Sequence, residues 1–250
     1  MPSRVVFVTG AGRGVGRAIA RRFARDGYAV ALFGRSHGPV RETADELLAL
    51  GADALALTGD VGSRKDVQSG VALTEQRLGP IDVLVNKAGI AESAPFAAMD
   101  DELWDRTIAT NLTGAYNCMR AIVPGMLARG YGRVINVAST AARVAFPYTA
   151  AYVASKHGVL GLTRAVALEA QKRGVTVNAI CPGWIDTDMT TASIARIVEK
   201  TGRSATEARK ALEEMNPQGR LIDPDEVAEI AAYLASPAAA DVNGQDLDIR

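Results

Sequence analysis

Short apolar runs of strand length alternate with helix-period patterns along all 250 residues, and this alternation limits the fold more than any single motif does. Residues 4–9 (RVVFVT) read as a buried strand. A glycine-rich turn follows, then a helix with Val15, Ile19 and Phe23 at i, i+4 spacing. Further strands are expected at 28–33 (YAVALF), 54–58, 81–85 (IDVLV), 133–137 (RVINV), 175–180 (VTVNAI) and 245–249. Helices are expected at 41–50, ended by Gly51, from about 63, over one continuous stretch 101–129, at 151–173, and at 226–235 behind Pro224. Segment 188–221 reads as two helices with no strand between them. Strands so continuously rich in Val, Ile and Leu must be buried on both faces, as in a parallel sheet covered by helices on each side.

No linker, repeat or low-complexity segment breaks the pattern, so residues 1–250 are expected to form one doubly wound (Rossmann) α/β domain. In that architecture ligands bind outside the carboxyl ends of the strands, where the strand order reverses. Lys plus Arg (28) balance Asp plus Glu (28), which argues against a nucleic-acid partner needing a basic surplus. Cys118 and Cys181 lack CxxC spacing and His37 and His157 lie far apart, so neither a metal site nor a disulfide framework is expected. No apolar run is long enough to span a bilayer, and Met-Pro-Ser-Arg leads into a strand without a signal-like core. A cytoplasmic protein without a membrane partner is expected.

After the first strand comes Thr9-Gly10-Ala11-Gly12-Arg13-Gly14-Val15-Gly16. Such glycines allow a tight turn and let backbone N–H groups approach a pyrophosphate at the positive end of the following helix. The spacing is Gly-x3-Gly-x-Gly, not the strict G-x-G-x-x-G fingerprint. At the end of the second strand, an acid would bind the adenosine ribose 2′-OH and a cation would accept a 2′-phosphate. This chain has Gly34 in the acid's place, then Arg35 and Ser36, with Arg13 in the turn. NADP(H) is therefore expected over NAD(H).

Tyr152 and Lys156 are four apart on an expected helix, hence on one face. A nearby ammonium favours the phenolate and is expected to lower the tyrosine pKa, which acid–base work on a carbonyl or alcohol would use. Ser139 directly follows the fifth strand, and Asn86, Ala88 and Gly89 follow the fourth, all at the same sheet edge.

Taken together, Thr9-Gly10-x3-Gly14-x-Gly16, Asp60-Val61, Asn86-x-Ala88-Gly89, Asn111, Ser139, Tyr152-x3-Lys156 and Pro182-Gly183-x3-Thr187 resemble the short-chain dehydrogenase/reductase family over essentially the whole chain. Segments 151–158 and 182–190 look most like the 3-oxoacyl-(acyl-carrier-protein) reductases and polyketide ketoreductases. The resemblance implies a ketone reduced to a secondary alcohol, most plainly a 3-oxoacyl thioester. Tyr152 would then be the acid, Lys156 would tune it and hold the nicotinamide ribose, Ser139 would hold the substrate oxygen, and Asn111 would position a water beside Lys156. Ile185 and Thr187, behind Pro182-Gly183, would meet the nicotinamide, and Asp60 and Val61 the adenine. A homotetramer packed through 101–129 and 151–173 is also implied. Another small carbonyl or secondary alcohol (a cyclic ketone, steroid or sugar) would use the same machinery. A non-catalytic NADP(H)-binding regulator would be free to lose it.

Two features depart from the family pattern. Lys87 stands where the family usually has a second asparagine, which puts local sheet stability in question or sets a cation near the cofactor. The chain ends at Asp248-Ile249-Arg250, where relatives continue through Gly-Gly and a tail that helps form the tetramer. Segment 188–221, with Ile194, Ile197, Val198 and Met215, is expected to be a substrate lid. Trp184 is a candidate for the pocket wall, and Trp104 reads as packing. Arg129, Lys172 and Arg173 resemble the surface on which carrier-protein reductases dock an acyl carrier protein, though ordinary solvated cations would look the same. His157 and the two cysteines read as packing, and His37 as a loop residue.

Overall fold

Residues 3–249 are described in the structure, a computed structural model; Met1, Pro2 and Arg250, and the expectations drawn from those ends, lie outside them. Seven strands form one parallel sheet: β1 (Val5–Thr9), β2 (Ala29–Gly34), β3 (Ala54–Thr58), β4 (Ile81–Asn86), β5 (Gly132–Val137), β6 (Val175–Pro182) and β7 (Asp246–Ile249). Their order is β3-β2-β1-β4-β5-β6-β7, so the winding reverses between β1 and β4. The helices are α1 (Gly14–Arg25), α2 (His37–Ala49), α3 (Arg64–Arg77), α4 (Asp101–Ile108), α5 (Gly114–Arg129), α6 (Ala150–Ala170), α7 (Asp188–Thr201), α8 (Ala205–Glu213) and α9 (Pro224–Ala235).

The period of two along β1 divides the core. Val6 and Val8 face Ile19 and Phe23 of α1, Leu47 of α2 and Val227 and Leu234 of α9. Val5 and Phe7 face Val67 and Val71 of α3, Ile122 and Met126 of α5 and Ala167 of α6. Each fully buried Phe, Ile or Leu contributes about 1.5–3 kcal/mol by leaving water, which is what holds both helical layers to the sheet.

Three boundaries differ from the sequence reading. Helix α2 begins at His37, four residues before the expected 41, because Pro39 falls in the first turn, where no backbone donor is needed. The expected continuous helix 101–129 is interrupted by a π turn at Ala109–Thr113 between α4 and α5. The helix expected over 151–173 ends at Ala170. Segment 188–221 holds α7 and α8 with no strand between them, and α8 opens with a capping box of Ser204 and Glu207. Among the described residues no helix is long and apolar enough to cross a membrane.

Candidate active site

Two loops meet over the reversal between β1 and β4. Thr9 Oγ1 accepts hydrogen bonds from the backbone N–H groups of Lys87 and Ala88, both at 3.0 Å, which ties the exit of β4 to that of β1. A Cβ on Gly10 would lie 3.0 Å from Ala88 Cα, and Gly10 has φ +66°, so the close approach needs glycine. Gly14 has φ +50° and its missing Cβ would stand 3.2 Å from Thr187 Cγ2, which brings the exit of β6 against the glycine turn. Gly12 packs on Pro39 and Val40 of α2, and Gly16 on the Gly10 carbonyl. The Val15 side chain is buried in the core, leaving only its backbone to a ligand.

The first turn of α1 carries no acid, and its N-cap, Arg13, makes no side-chain cap, so the helix end is open to an anion. Among the described residues, neither Arg13 nor Arg35 pairs with a carboxylate, and the Ser36 side chain does not cap α2. Asn86 is buried and its Oδ1 has no hydrogen-bond partner, while its Nδ2 donates to Asn136 Oδ1 at 2.9 Å. A glycine cradle, an open helix end, unspent cations and an orphaned buried acceptor suit a dinucleotide lying across the reversal point. His37 turns instead to Thr58 Oγ1, at 3.3 Å.

The other candidate side chains gather at the same edge. Tyr152 and Lys156 lie on one face of α6, with Lys156 Nζ 5.7 Å from the Tyr152 ring centre. The Tyr152 side chain hydrogen-bonds Ser139, whose Oγ also accepts the Ala141 N–H at 3.1 Å. Lys156 Nζ donates to the Val137 carbonyl at 2.9 Å. Burial, joined by the Lys87 charge, pushes the Lys156 ammonium down from 10.5 to about 8. For Tyr152 the expectation is overturned: burial raises its pKa and outweighs the Ser139 hydrogen bond, so the group is a phenol at neutral pH.

The π turn sets Asn111. Its Oδ1 accepts the Ile90 N–H at 2.8 Å, and its Nδ2 donates to the Ile90 carbonyl (2.9 Å) and to Ser155 Oγ (3.0 Å). Beside it, Asn111, Lys156, Thr110, Asn86 and Val61 line a cavity of about 10 Å³, room for about one water. Asp60 turns its carboxylate to the Gly62 N–H, and Asn117 holds the Val61 carbonyl, so this loop lies against α5.

Several supporting side chains had no signal in the sequence. Asn136, buried in β5, bridges Asn86 to Thr163 of α6. Asn216 accepts the Trp184 N–H and donates to the Trp184 and Arg220 carbonyls, clamping the Pro182–Thr187 exit to the end of segment 188–221; a Cβ on Gly183 would collide with it at 2.3 Å. Trp184 is half-buried. Ile194, Ile197 and Val198 are likewise half-buried, Met215 is exposed, and Arg196 of α7 reaches Ser93 in the β4–α4 loop at 3.2 Å. Arg129 donates to the Ile81 carbonyl and Arg173 to the Leu127 carbonyl, so two of the three suggested docking cations are engaged in the fold. His157 is exposed on α6, and both cysteines are buried, their thiols pushed up to about 12 (Cys118) and about 11 (Cys181) by burial.

Comparison with known proteins gives consistent relatives. The family described as short chain dehydrogenase matches residues 4–197. A putative ketoacyl reductase of Streptomyces coelicolor is 41% identical over 249 residues, covering 99% of this chain and 95% of the relative. A D-beta-hydroxybutyrate dehydrogenase of Cupriavidus necator is 35% identical, covering 96% and 94%. A 3-oxoacyl-(acyl-carrier-protein) reductase of Staphylococcus aureus is 35% identical, covering 99% and 96%. Among solved structures, a tryptophan-substituted actinorhodin polyketide ketoreductase with NADPH superposes with a TM-score of 0.96 at 40% identity, covering 100% of this chain and 97% of that one.

Proposed function

The chain belongs to the short chain dehydrogenase family, and from that premise we propose that it reduces a 3-oxoacyl thioester to the hydroxyacyl thioester with NADPH as hydride donor. The observation that carries this reading is the convergence of Ser139, a phenolic Tyr152 and Lys156 beside the glycine cradle. NADPH, when bound, supplies the hydride; Gly10, Gly12, Arg13, Gly14, Val15, Gly16, Gly34, Arg35 and Ser36 would hold its adenosine half. Asn86, Ala88, Gly89, Pro182, Gly183, Ile185 and Thr187 would hold the other half, with Asp60 and Val61 at the adenine.

The chain's own work is alignment and proton supply. Ser139 Oγ holds the ketone oxygen, and Tyr152 Oη gives it a proton. Lys156, anchored on Val137, supports the phenolate that forms, and the Asn111 cavity leads the replacement proton in. Segment 188–221 closes over the acyl group as a lid, supported by the Arg196–Ser93 bond. The whole of 1–250 acts as one catalytic domain, in a cytoplasmic homotetramer packed through α5 and α6, where Tyr116 and Leu168 are exposed. Delivery by an acyl carrier protein is the finer form of the reading.

The test is nicotinamide absorbance loss with acetoacetyl-CoA, run with NADPH and with NADH. Oxidation of NADPH alone is expected, and no turnover with either would overturn the thioester assignment. The hydroxybutyrate dehydrogenase relative favours a second reading, a free 3-oxo acid, so acetoacetate is run beside the thioester. A purified carrier-bound substrate should outperform its CoA analogue if carrier docking operates.

Gly34→Asp tests the cofactor choice. Its new Cβ would stand 2.9 Å from Cγ2 of the buried Val40, so α2 must give slightly, and a Gly34→Ala control separates that packing cost from the effect of the charge. A carboxylate there should weaken NADPH by about tenfold or more relative to NADH through repulsion of the 2′-phosphate. An unchanged ratio of the two Kd values would remove this turn from cofactor choice.

A pH profile tests Lys156. Because its ammonium titrates near 8, kcat/KM for NADPH should fall as pH rises through about 8, where the proton is lost. A limb at the ordinary lysine value of 10.5 would show that Lys156 is not the group sensed.

A further inference from the structure

Lys87 leaves the β4 strand end at the point where the sheet reverses, and its backbone N–H is pinned to Thr9 Oγ1. The side chain runs across the glycine turn: the position a Gly10 Cβ would take lies 3.3 Å from Lys87 Cδ. The ammonium is close enough for charge repulsion with Arg13 in the turn, and with Lys156 on α6. Three cations thus line the cleft from the glycine turn to the catalytic helix, and none of them pairs with a carboxylate among the described residues. Lys87 has no hydrogen-bond acceptor for its ammonium either, although burial and Arg13 both press that group toward its neutral form.

An anion lying between the glycine turn and Lys156 would relieve all three charges together. The first turn of α1 faces the same place without an acid. In a dinucleotide, the anionic group between the two ribose units is the pyrophosphate. We infer that Lys87 is a pyrophosphate ligand, an addition to the glycine turn that serves NADPH and NADH alike. This rests on the dinucleotide reading of the site, and it replaces the view of Lys87 as a fault in sheet packing. Thr9 takes its hydrogen bonds from the backbone at this position, so the side chain is free for a ligand.

The experiment measures Kd by nicotinamide fluorescence for wild type, Lys87→Asn, Lys87→Met and Lys87→Arg, with adenosine 2′-monophosphate as a competitor lacking the pyrophosphate. Loss of one charge-assisted contact should weaken NADPH and NADH by the same factor, about tenfold, in the Asn and Met variants. Lys87→Arg should stay within about threefold of wild type, and adenosine 2′-monophosphate should bind all four proteins equally. Weakening of NADPH alone would move Lys87 to the 2′-phosphate and overturn the inference. Unchanged Kd values, or a change confined to the KM of the ketone, would overturn it too. If Lys87→Asn fails to fold by circular dichroism, the Met variant carries the same comparison. A wild-type protein that binds neither dinucleotide would sink the functional reading itself, and this inference with it.

Discussion

Replacing Tyr152 with Phe is expected to lower kcat for ketone reduction by about a thousandfold while leaving the NADPH Kd within about twofold. The substitution removes one oxygen and keeps the ring, so α6 and the Lys156 contact with Val137 should stay in place. What is lost is the proposed proton donor and its interaction with Ser139. The size follows from general acid catalysis, which contributes about 10²- to 10⁴-fold when the donor is well placed. The direction follows from burial, which holds Tyr152 as a phenol and so as an acid at neutral pH. Steady-state rates paired with fluorescence titration check both halves. A parallel loss of turnover and cofactor binding would place Tyr152 in binding rather than chemistry.

The second large effect belongs to Gly16→Ala. A Cβ there would stand 2.1 Å from the Gly10 carbonyl oxygen, 2.8 Å from the Gly10 carbonyl carbon and 3.0 Å from Ala11 Cα. All three are backbone atoms, and no rotamer change can move them aside. Either α1 or the turn after β1 must shift, and both belong to the proposed cofactor cradle and to the core under Ile19 and Phe23. Overpacking of this kind costs about 1–3 kcal/mol, which corresponds to a fall in Tm of about 2–12 °C for a chain of this length. NADPH binding should weaken about a hundredfold, since the donors of the turn leave their positions. Gly161→Ala is the control: it lies in α6 with nothing within 4 Å of its new Cβ, and should be neutral or slightly stabilising. Equal behaviour of the two variants in a thermal melt and a titration would refute the close-packing account.

Much of this cleft is legible in the sequence. The seven strands appear within a residue or two of their sequence positions; the central ones do so because a long apolar run has few ways to hide both faces, while the edge strands β3 and β7 are mostly half-buried. The glycine turn was legible because positive φ and backbone-to-backbone packing leave glycine alone at Gly10, Gly14 and Gly16. The four-residue spacing of Tyr152 and Lys156 needed only helix geometry. Asn111 was named through resemblance, yet the π turn that aims it has no signature in the spacing of 101–129, which reads as one helix. Asn136 and Asn216 gave no signal either, since each acts only by bridging segments far apart in the chain.

The sequence by itself determined the strands, the parallel sheet, the phosphate-type turn and the pairing of a tyrosine with a lysine, all of which depend on residues a few positions apart. Tertiary structure alone decided which way the charges act. It left Tyr152 half-buried among its neighbours, where desolvation raises a pKa that the neighbouring lysine was expected to lower. It also laid Lys87 over Gly10, turning a departure from the family pattern into a cation in the cleft. Burial and charge proximity are sums over distant parts of the chain, and they exist only once the sheet has brought β1, β4 and β5 side by side.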